Sequence, residues 1–525
     1  MLIHALPGCL CNKSEQAAAF ESTPAFTTLI ASTTTHIDHA LIEQVVGAFY
    51  RYATFSHTWQ DSEPLYEKVI EIVVYDLKAS PTHEKLQMFC KIIRDEGFVW
   101  AWSDTCCVDQ KDPSVLQESL VSMFKWYEGS VMTIIFLYDV DGLAVLGALT
   151  ASRWNSRGWT LQEYHASKVV RIYTKDWTPY LGLTIYNYKD SPEIILEMER
   201  ATGISARALM ALRPGLKDIR EKLRLASTRQ TTRVEDAAYS LLGIFSMSLP
   251  VTYGEGDKAL GRLLSELLTS SGDTSILAWT GKPGSFNSCL PTDIVVFSQP
   301  LSSYIPPAIP DAEMATITAG LRISSPVLNQ VTRLYDRMNE LRTPRFAGQR
   351  MMLPCLAIEI SKSPFWNGSK GIFRAQAGVF GVMEIKTSEN ITQLDTLYLV
   401  HPWTDFLLDR LAVKSTMETI PEASSPDSSQ ITSPAPPKKV AKFIGSLRQK
   451  FSRQPTPEVA QQMHILQFTA RLKKPFGALL LTPTRRNVAE YRRIATENLI
   501  SAEVQEITSA TLSELIRGVK ELDVL

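Results

Sequence analysis

Four short stretches hold the residues whose types and spacing could do chemistry. They are Ser56-His57-Thr58-Trp59, then Asp104-Thr105-Cys106-Cys107-Val108-Asp109-Gln110, then Arg157-Gly158-Trp159-Thr160-Leu161-Gln162-Glu163, and Glu235-Asp236-Ala237-Ala238-Tyr239-Ser240-Leu241-Leu242-Gly243 leading to Tyr253-Gly254-Glu255-Gly256. His57 beside an indole suits a general base, or a contact with a flat heteroaromatic ring for which Trp59 is the wall. The competing reading is a buried imidazole bonded to a backbone carbonyl, with Trp59 in the core. Asp104 and Asp109 could polarise a hydroxyl, bind a cation or cap a helix, and capping by Asp112 is the commonest local use of such residues. Arg157 could hold a phosphate or carboxylate by its planar fork, and Glu163 could act as a base or stabilise an oxocarbenium-like centre. Against this stands an Arg157 salt bridge, with Trp154 and Trp159 as core anchors.

Other groups point to structure. A catalytic cysteine needs a lowered pKa and a partner base, so Cys106 and Cys107 read as buried and inert. No Cys-x-x-Cys or His-rich spacing suggests a metal. The fourth stretch reads as a helix opened by Thr231 or Thr232, with Glu235 and Asp236 complementing its dipole. Arg229 and Arg233 are placed to pair with acids of the earlier stretches. Gly254 and Gly256 lack the surroundings of a phosphate loop and read as a tight turn.

Positioning these residues requires helices alternating with short apolar strands. Helical spacing over residues 37–50 gives way to a strand at Tyr52 to Ser56, which delivers His57 and Trp59 onto a loop. Glu84 to Glu96 reads as a helix ended by Gly97, and Phe98 to Ser103 as a buried strand; Gln117 to Tyr127 and Met132 to Tyr138 repeat the pattern. Such alternation predicts an α/β fold with a parallel sheet covered by helices, where ligands gather beyond the carboxyl ends of the strands. Asp104 to Gln110 follows one of these strands directly. Past Leu161 a helical extension is expected, with helices at Ser205 to Met210, Lys217 to Ala226, Glu235 to Phe245 and Gly261 to Leu268.

The chain has 525 residues, more than one core usually supports. Residues 1–35 read as a loosely ordered leader and 36–281 as the first domain. Residues 290–412 follow as a smaller β-rich (α+β) domain, with strands at Ile294 to Phe297, Ala315 to Ile323, Leu356 to Ile360 and Val379 to Ile385. Residues 413–460 form a Ser/Pro-rich disordered linker, and 461–525 an α/β segment completing the second domain, with a helix around Thr511 to Leu522. A hydrophobic share of 45%, a charged share of 21% and a net charge of −1 fit a globular protein and argue against nucleic acid as a partner. Seven cysteines without regular spacing do not make a disulfide framework. With neither a secretory signal nor an apolar run of spanning length, the expectation is a cytoplasmic protein. Lys438 to Arg453 sets Val440, Phe443, Ile444, Leu447 and Phe451 on one helical face with basic residues around the other. That suits a peripheral membrane or calmodulin-like contact, against a solvated charge run or a helix docked on its own protein.

In order and wording the four stretches resemble the heterokaryon incompatibility (HET) domain of filamentous fungi. The resemblance covers residues 52–279 and is greatest to the HET proteins of mushroom-forming fungi. The sequence departs from the family pattern at Asn155, where an aromatic is usual, and at Ser103, where an apolar residue is common. The resemblance implies non-self recognition and programmed cell death, with a partner protein or self-association. It also implies a core like the Toll/interleukin receptor (TIR) fold, a flavodoxin-like parallel sheet with flanking helices. Several TIR domains cleave NAD with a glutamate. By that implication Glu163 is the catalytic residue and NAD the substrate, with no cofactor required. Ser56, His57, Trp59, Asp104, Asp109, Gln110, Arg157, Trp159 and Gln162 then shape the pocket. The alternative is a signalling module without catalysis.

Overall fold

A computed structural model describes residues 1–33, 37–299, 325–362, 372–387, 396–402, 475–484 and 487–525, with 389, 391, 465, 468, 469 and 472. The linker, the basic stretch Lys438 to Arg453 and the strand expected at Ala315 to Ile323 lie outside the described residues. Two compact units divide the chain, one of Met1–Leu263 with Thr292–Pro300, the other of Leu264–Pro291 with Leu301–Leu525.

The first unit is built on strands β1 (Leu2–His4), β2 (Cys9–Cys11), β3 (Tyr52–His57), β4 (Trp100–Trp102), β5 (Met132–Leu137) and β6 (Val170–Thr174), in the spatial order β2-β1-β4-β3-β5-β6. β3, β4, β5 and β6 are parallel. The burial of β3, β4 and β5 on both faces matches the apolar runs in the sequence, because helices cover both sides of such a sheet. Counted along the chain, the parallel strands stand in the order 2-1-3-4, which is flavodoxin-like. In that order the ligand crevice opens beyond the carboxyl ends of the first and third parallel strands, here β3 and β5.

Helices Pro81–Asp95 and Pro113–Gly129 make the crossovers. Ser80 caps the first, accepting from the His83 N–H at 3.2 Å. Asp112 caps the second, accepting from Ser114 and Val115 at 2.8 and 3.3 Å.

Three expectations for this unit need correction. The sheet is mixed, because residues 1–33 are ordered and not a loose leader, and their two strands join it. β1 and β2 form a hairpin, and β1 lies antiparallel on β4 with Ile3 opposite Ala101. Helices Lys13–Glu21 and Pro24–Thr33 follow. Three-residue strands are too short to show a period, but Asn12 and Glu15 form a capping box that the sequence displays. The helix expected over Glu235 to Phe245 is two short ones, Asp236–Tyr239 and Leu242–Phe245. Residues Ile294–Ser298 form a 3-10 helix rather than a strand.

The break after Tyr239 brings Gly243 against helix Pro113–Gly129, where an added Cβ would overlap Phe124 Cβ and its ring. Gly243→Ala is therefore expected to destabilise the unit by about 1–3 kcal/mol. Denaturant unfolding measures this, and a loss within noise would mean the two helices part without cost.

The second unit is β-rich. Strand β7 (Arg345–Ala347) pairs with β8 (Arg350–Lys362), which is followed by β9 (Ile372–Ala377), β10 (Gly381–Lys386), β11 (Leu397–Pro402), β12 (Phe476–Thr484), β13 (Asn487–Arg493), β14 (Ile500–Ala502) and β15 (Val519–Val524). The pairings β8–β11–β12–β13–β15 close on β8 again, so five strands form a ring. Leu356, Ile358 and Ile360 pack with Leu334 and Met338 of helix Ser325–Asn339 and with Leu512 and Leu515 of helix Ser509–Gly518. The alternate residues Met351, Leu353 and Cys355 are also buried, on the inside of the ring. The helix expected around Thr511 to Leu522 ends at Gly518, where the chain turns into β15.

Candidate functional site

Alternation along β3 sends Ser56 and His57 to opposite faces, and each face builds one half of the site. On the Ser56 face stands helix Trp159–Ala166, which carries Glu163. The Ser56 hydroxyl donates to Glu163 Oε2 at 2.5 Å and accepts from the Trp154 indole N–H at 2.8 Å. Tyr127 is buried nearby, and its hydroxyl donates to the Phe55 carbonyl at 2.8 Å. The helix is tied to the sheet by buried hydroxyls. Ser167 donates to the Glu163 carbonyl at 2.6 Å and bonds Thr133, which bonds Thr54 at 2.7 Å.

Glu163 is 3% exposed, and burial pushes its carboxyl up to about 8, assisted by the nearby Asp104 charge. Ser56, Arg157 and Arg229 pull the other way, by hydrogen bond and by charge. Buried Arg229 donates to the Arg157 carbonyl and Thr160 Oγ1, both at 3.0 Å, and to Asn155 Oδ1 at 3.2 Å. The amide at Asn155 thus gives Arg229 an acceptor that an aromatic side chain would not.

On the other face His57 is buried against Phe55, ring centroids 4.4 Å apart. Neither ring nitrogen has a hydrogen-bond partner among the described residues, so His57 bonds no backbone carbonyl. Burial, then the charges of Lys85 and Arg157, hold its pKa well below the usual histidine value, and it is neutral. Beneath it Lys85, 2% exposed, forms an ion pair with Glu63, whose Oε1 also accepts from the Gln60 N–H at 2.9 Å. Glu63 Oε1 stands 3.9 Å from His57 Nε2.

The halves meet beyond the strand ends. There the half-exposed Trp59 donates its indole N–H to Asp104 Oδ2 at 2.8 Å. Burial raises the Asp104 carboxyl to about 6, and the Trp59 bond opposes the shift.

The site therefore brings together Ser56, Glu163, Trp59 and Asp104, with His57 on the opposite face of β3. Gln162 is buried beside Glu163, and its Nε2 has no partner among the described residues. Arg157 acts on Glu163 and His57 through its charge, while its own nitrogen donates to Thr232 Oγ1 at 3.0 Å.

Three candidates lie elsewhere. Asp109 accepts from the Lys111 N–H at 3.0 Å in a turn leading to the Asp112 cap, and Gln110 is exposed on that turn. Burial raises the Asp236 carboxyl and Trp159 opposes that shift, so Trp159 joins the third motif to the fourth.

The fourth motif is scaffolding. Glu235 accepts from the N–H groups of Gly254 and Gly256 at 2.8 and 3.0 Å. Tyr239 bonds Glu255, Tyr253 bonds Asp236, and Arg233 lies 4.1 Å over the Tyr253 ring. Gly158 approaches so closely that a Cβ there would stand 2.5 Å from Thr231 Cγ2, and its N–H reaches the Gln230 carbonyl at 2.9 Å.

Lys85, Glu63, Tyr127 and the bonding role of Trp154 were not anticipated. Lys85 left one signal, a lysine inside the apolar stripe of helix Pro81–Asp95 made by Leu86, Phe89, Cys90 and Ile93. All seven cysteines are free, and Cys106 and Cys107 are buried. Among the described residues no group of three or more His, Cys, Asp or Glu is placed to hold a metal ion, and no helix is long and apolar enough to cross a membrane.

The family model described as heterokaryon incompatibility protein (HET) matches residues 52–148. That stretch runs from β3 through Asp104 to β5 and ends before Glu163. Vegetative incompatibility protein HET-E-1 of Podospora anserina is 34% identical over 236 residues, which cover 42% of this chain and 16% of that protein. No solved structure matches the chain. With the His57 and Asp104 motifs at adjacent strand ends and both inside the matched stretch, the protein carries a heterokaryon incompatibility (HET) domain.

Proposed function

We propose that the protein acts in fungal non-self recognition and programmed cell death in the cytoplasm, by a TIR-like hydrolysis of NAD with Glu163 at its centre. The observation that carries this reading is the Glu163 carboxyl. It is buried against the carboxyl-terminal part of β3, raised to about 8, and aligned by Ser56. Breaking the bond between nicotinamide and ribose leaves positive charge on the ribose, and a carboxylate beside that carbon stabilises it. Nicotinamide departs with the bonding electrons, water adds to the ribose carbon, and the water proton is released. Trp59 offers a flat wall for a departing ring, and the unpartnered polar atoms of His57 and Gln162 suit a site that bonds its substrate. The relative's name, vegetative incompatibility protein, supports the cellular role.

The test is intracellular NAD after inducing the full chain, or Glu163→Gln, in yeast. Loss of NAD and viability with the parent chain alone is expected. Cell death at constant NAD would overturn catalysis.

A second reading is favoured by a separate observation. In the loop after β5, Leu143 is 95% exposed and Val145 73%, while Glu163 itself lies under the surface. On this reading the domain signals by self-association or partner binding, and charged substitutions at Leu143 and Val145 abolish killing without touching NAD. A peripheral membrane or calmodulin-like contact through Lys438 to Arg453 is compatible with either reading.

A further inference from the structure

Helix Trp159–Ala166 has a second working face. Leu161 and His165, one turn apart, point away from the Ser56 cluster into a cavity of about 30 Å³. Phe124, Leu225 and Ile244 complete its apolar walls, and residues 212–214 form its mouth. This is room for a small group and too little for a nucleotide.

The polar groups of this cavity are basic or neutral. Lys222, 2% exposed, donates to the Gly215 carbonyl at 2.6 Å and lies 5.7 Å from the Phe245 ring centroid. Among the described residues no carboxylate forms an ion pair with it. Asp218, exposed at the start of helix Ile219–Ser227, acts on it only through space. Burial brings the amine down to about 8, and His165 is kept neutral by burial and by the charges of Lys189, Arg229 and Lys222. Arg213 stands exposed at the mouth, donating to the carbonyls of Met210 and Leu212 at 2.7 and 2.9 Å. A buried ammonium facing apolar walls without a counter-charge is costly unless an anion completes it.

We infer that this cavity binds a small organic carboxylate, its charged end at Lys222 and its apolar body between Phe124, Leu161, Leu225 and Ile244. The walls reject a hydrated ion such as inorganic phosphate, and Lys222 selects against neutral compounds of the same shape. The site is separate from the Glu163 carboxyl but shares its helix, and its occupancy does not depend on what the Ser56 cluster does.

The test uses the full chain with acetate and propionate as probes, and acetamide and inorganic phosphate as controls, followed by thermal unfolding. At millimolar concentration the carboxylates should raise the melting temperature by about 2 °C or more, with no shift from the controls. Lys222→Met should fold and lose the shift. Leu212→Trp, which fills the mouth and leaves the charge, should lose it as well. No shift with either carboxylate would overturn the inference, as would an equal shift with acetamide or phosphate. Should Lys222→Met fail to fold, a shift that survives in Leu212→Trp overturns it too.

Discussion

Glu163→Gln should reduce NAD consumption by the purified chain about a hundred- to a thousandfold, the loss expected when the group that stabilises transition-state charge is neutralised in a dry site. The same substitution should make the protein more stable at alkaline pH. The Glu163 carboxyl is raised from 4.5 to about 8, burial being the larger cause and the Asp104 charge the next. The folded chain therefore holds a proton that the unfolded chain has lost over that interval. Stability from this group is fully present below pH 4.5 and declines as pH rises through 8, with an upper bound of about 5 kcal/mol on the total. Glutamine cannot ionise, so the two proteins should unfold alike near pH 4.5 and diverge by pH 8.5, with the variant more stable. In the parent chain the rate should rise with pH through about 8, because the ionised carboxylate is the working form. A rate that falls over that range would make Glu163 a proton donor. An unchanged rate in Glu163→Gln would remove it from the chemistry, and equal unfolding curves at pH 8.5 would show that it is not desolvated.

Glu63→Gln is expected to destabilise the first unit by about 3–5 kcal/mol. The substitution leaves the Lys85 ammonium, 2% exposed, without a counter-charge, facing a neutral amide and the Thr58 carbonyl at 3.5 Å. Burial already lowers the Lys85 pKa, and the Glu63 charge opposes that shift. Without Glu63 the amine sheds its proton at lower pH, so the deficit should be largest in acid and shrink as pH rises towards the ordinary lysine range. The double variant Glu63→Leu with Lys85→Met should restore most of the stability, since an apolar pair of similar size replaces a buried ion pair at little cost. Denaturant unfolding of the two variants decides the matter. A loss below about 1 kcal/mol in Glu63→Gln would mean that water reaches Lys85.

The composition and the alternation of helical and apolar segments were enough to set the first unit as α/β and the second as β-rich, because burial on both faces leaves continuous runs such as Met132 to Leu137. The cap at Asp112, before a proline-led helix, was equally legible. The expectation that Ser56, Trp59, Asp104 and Glu163 share one site rested on motif wording rather than on spacing. Pairing of distant segments leaves no local trace. The antiparallel seat of Leu2–His4 on β4 and the closure of β15 onto β8 depend on contacts between residues far apart in the chain. Asp109 and Gln110 share a motif with Asp104, yet the buried Thr105, Cys106, Cys107 and Val108 stand between, and Gln110 is exposed. Local chemistry therefore fixed which residues could act and which segments could carry them. Tertiary structure alone decided that Ser56 meets Glu163 across 107 positions of sequence, that Lys85 lies beneath His57, and that the Glu163 carboxyl holds its proton to about pH 8, since burial and charge at a distance belong to the fold and not to any stretch of chain.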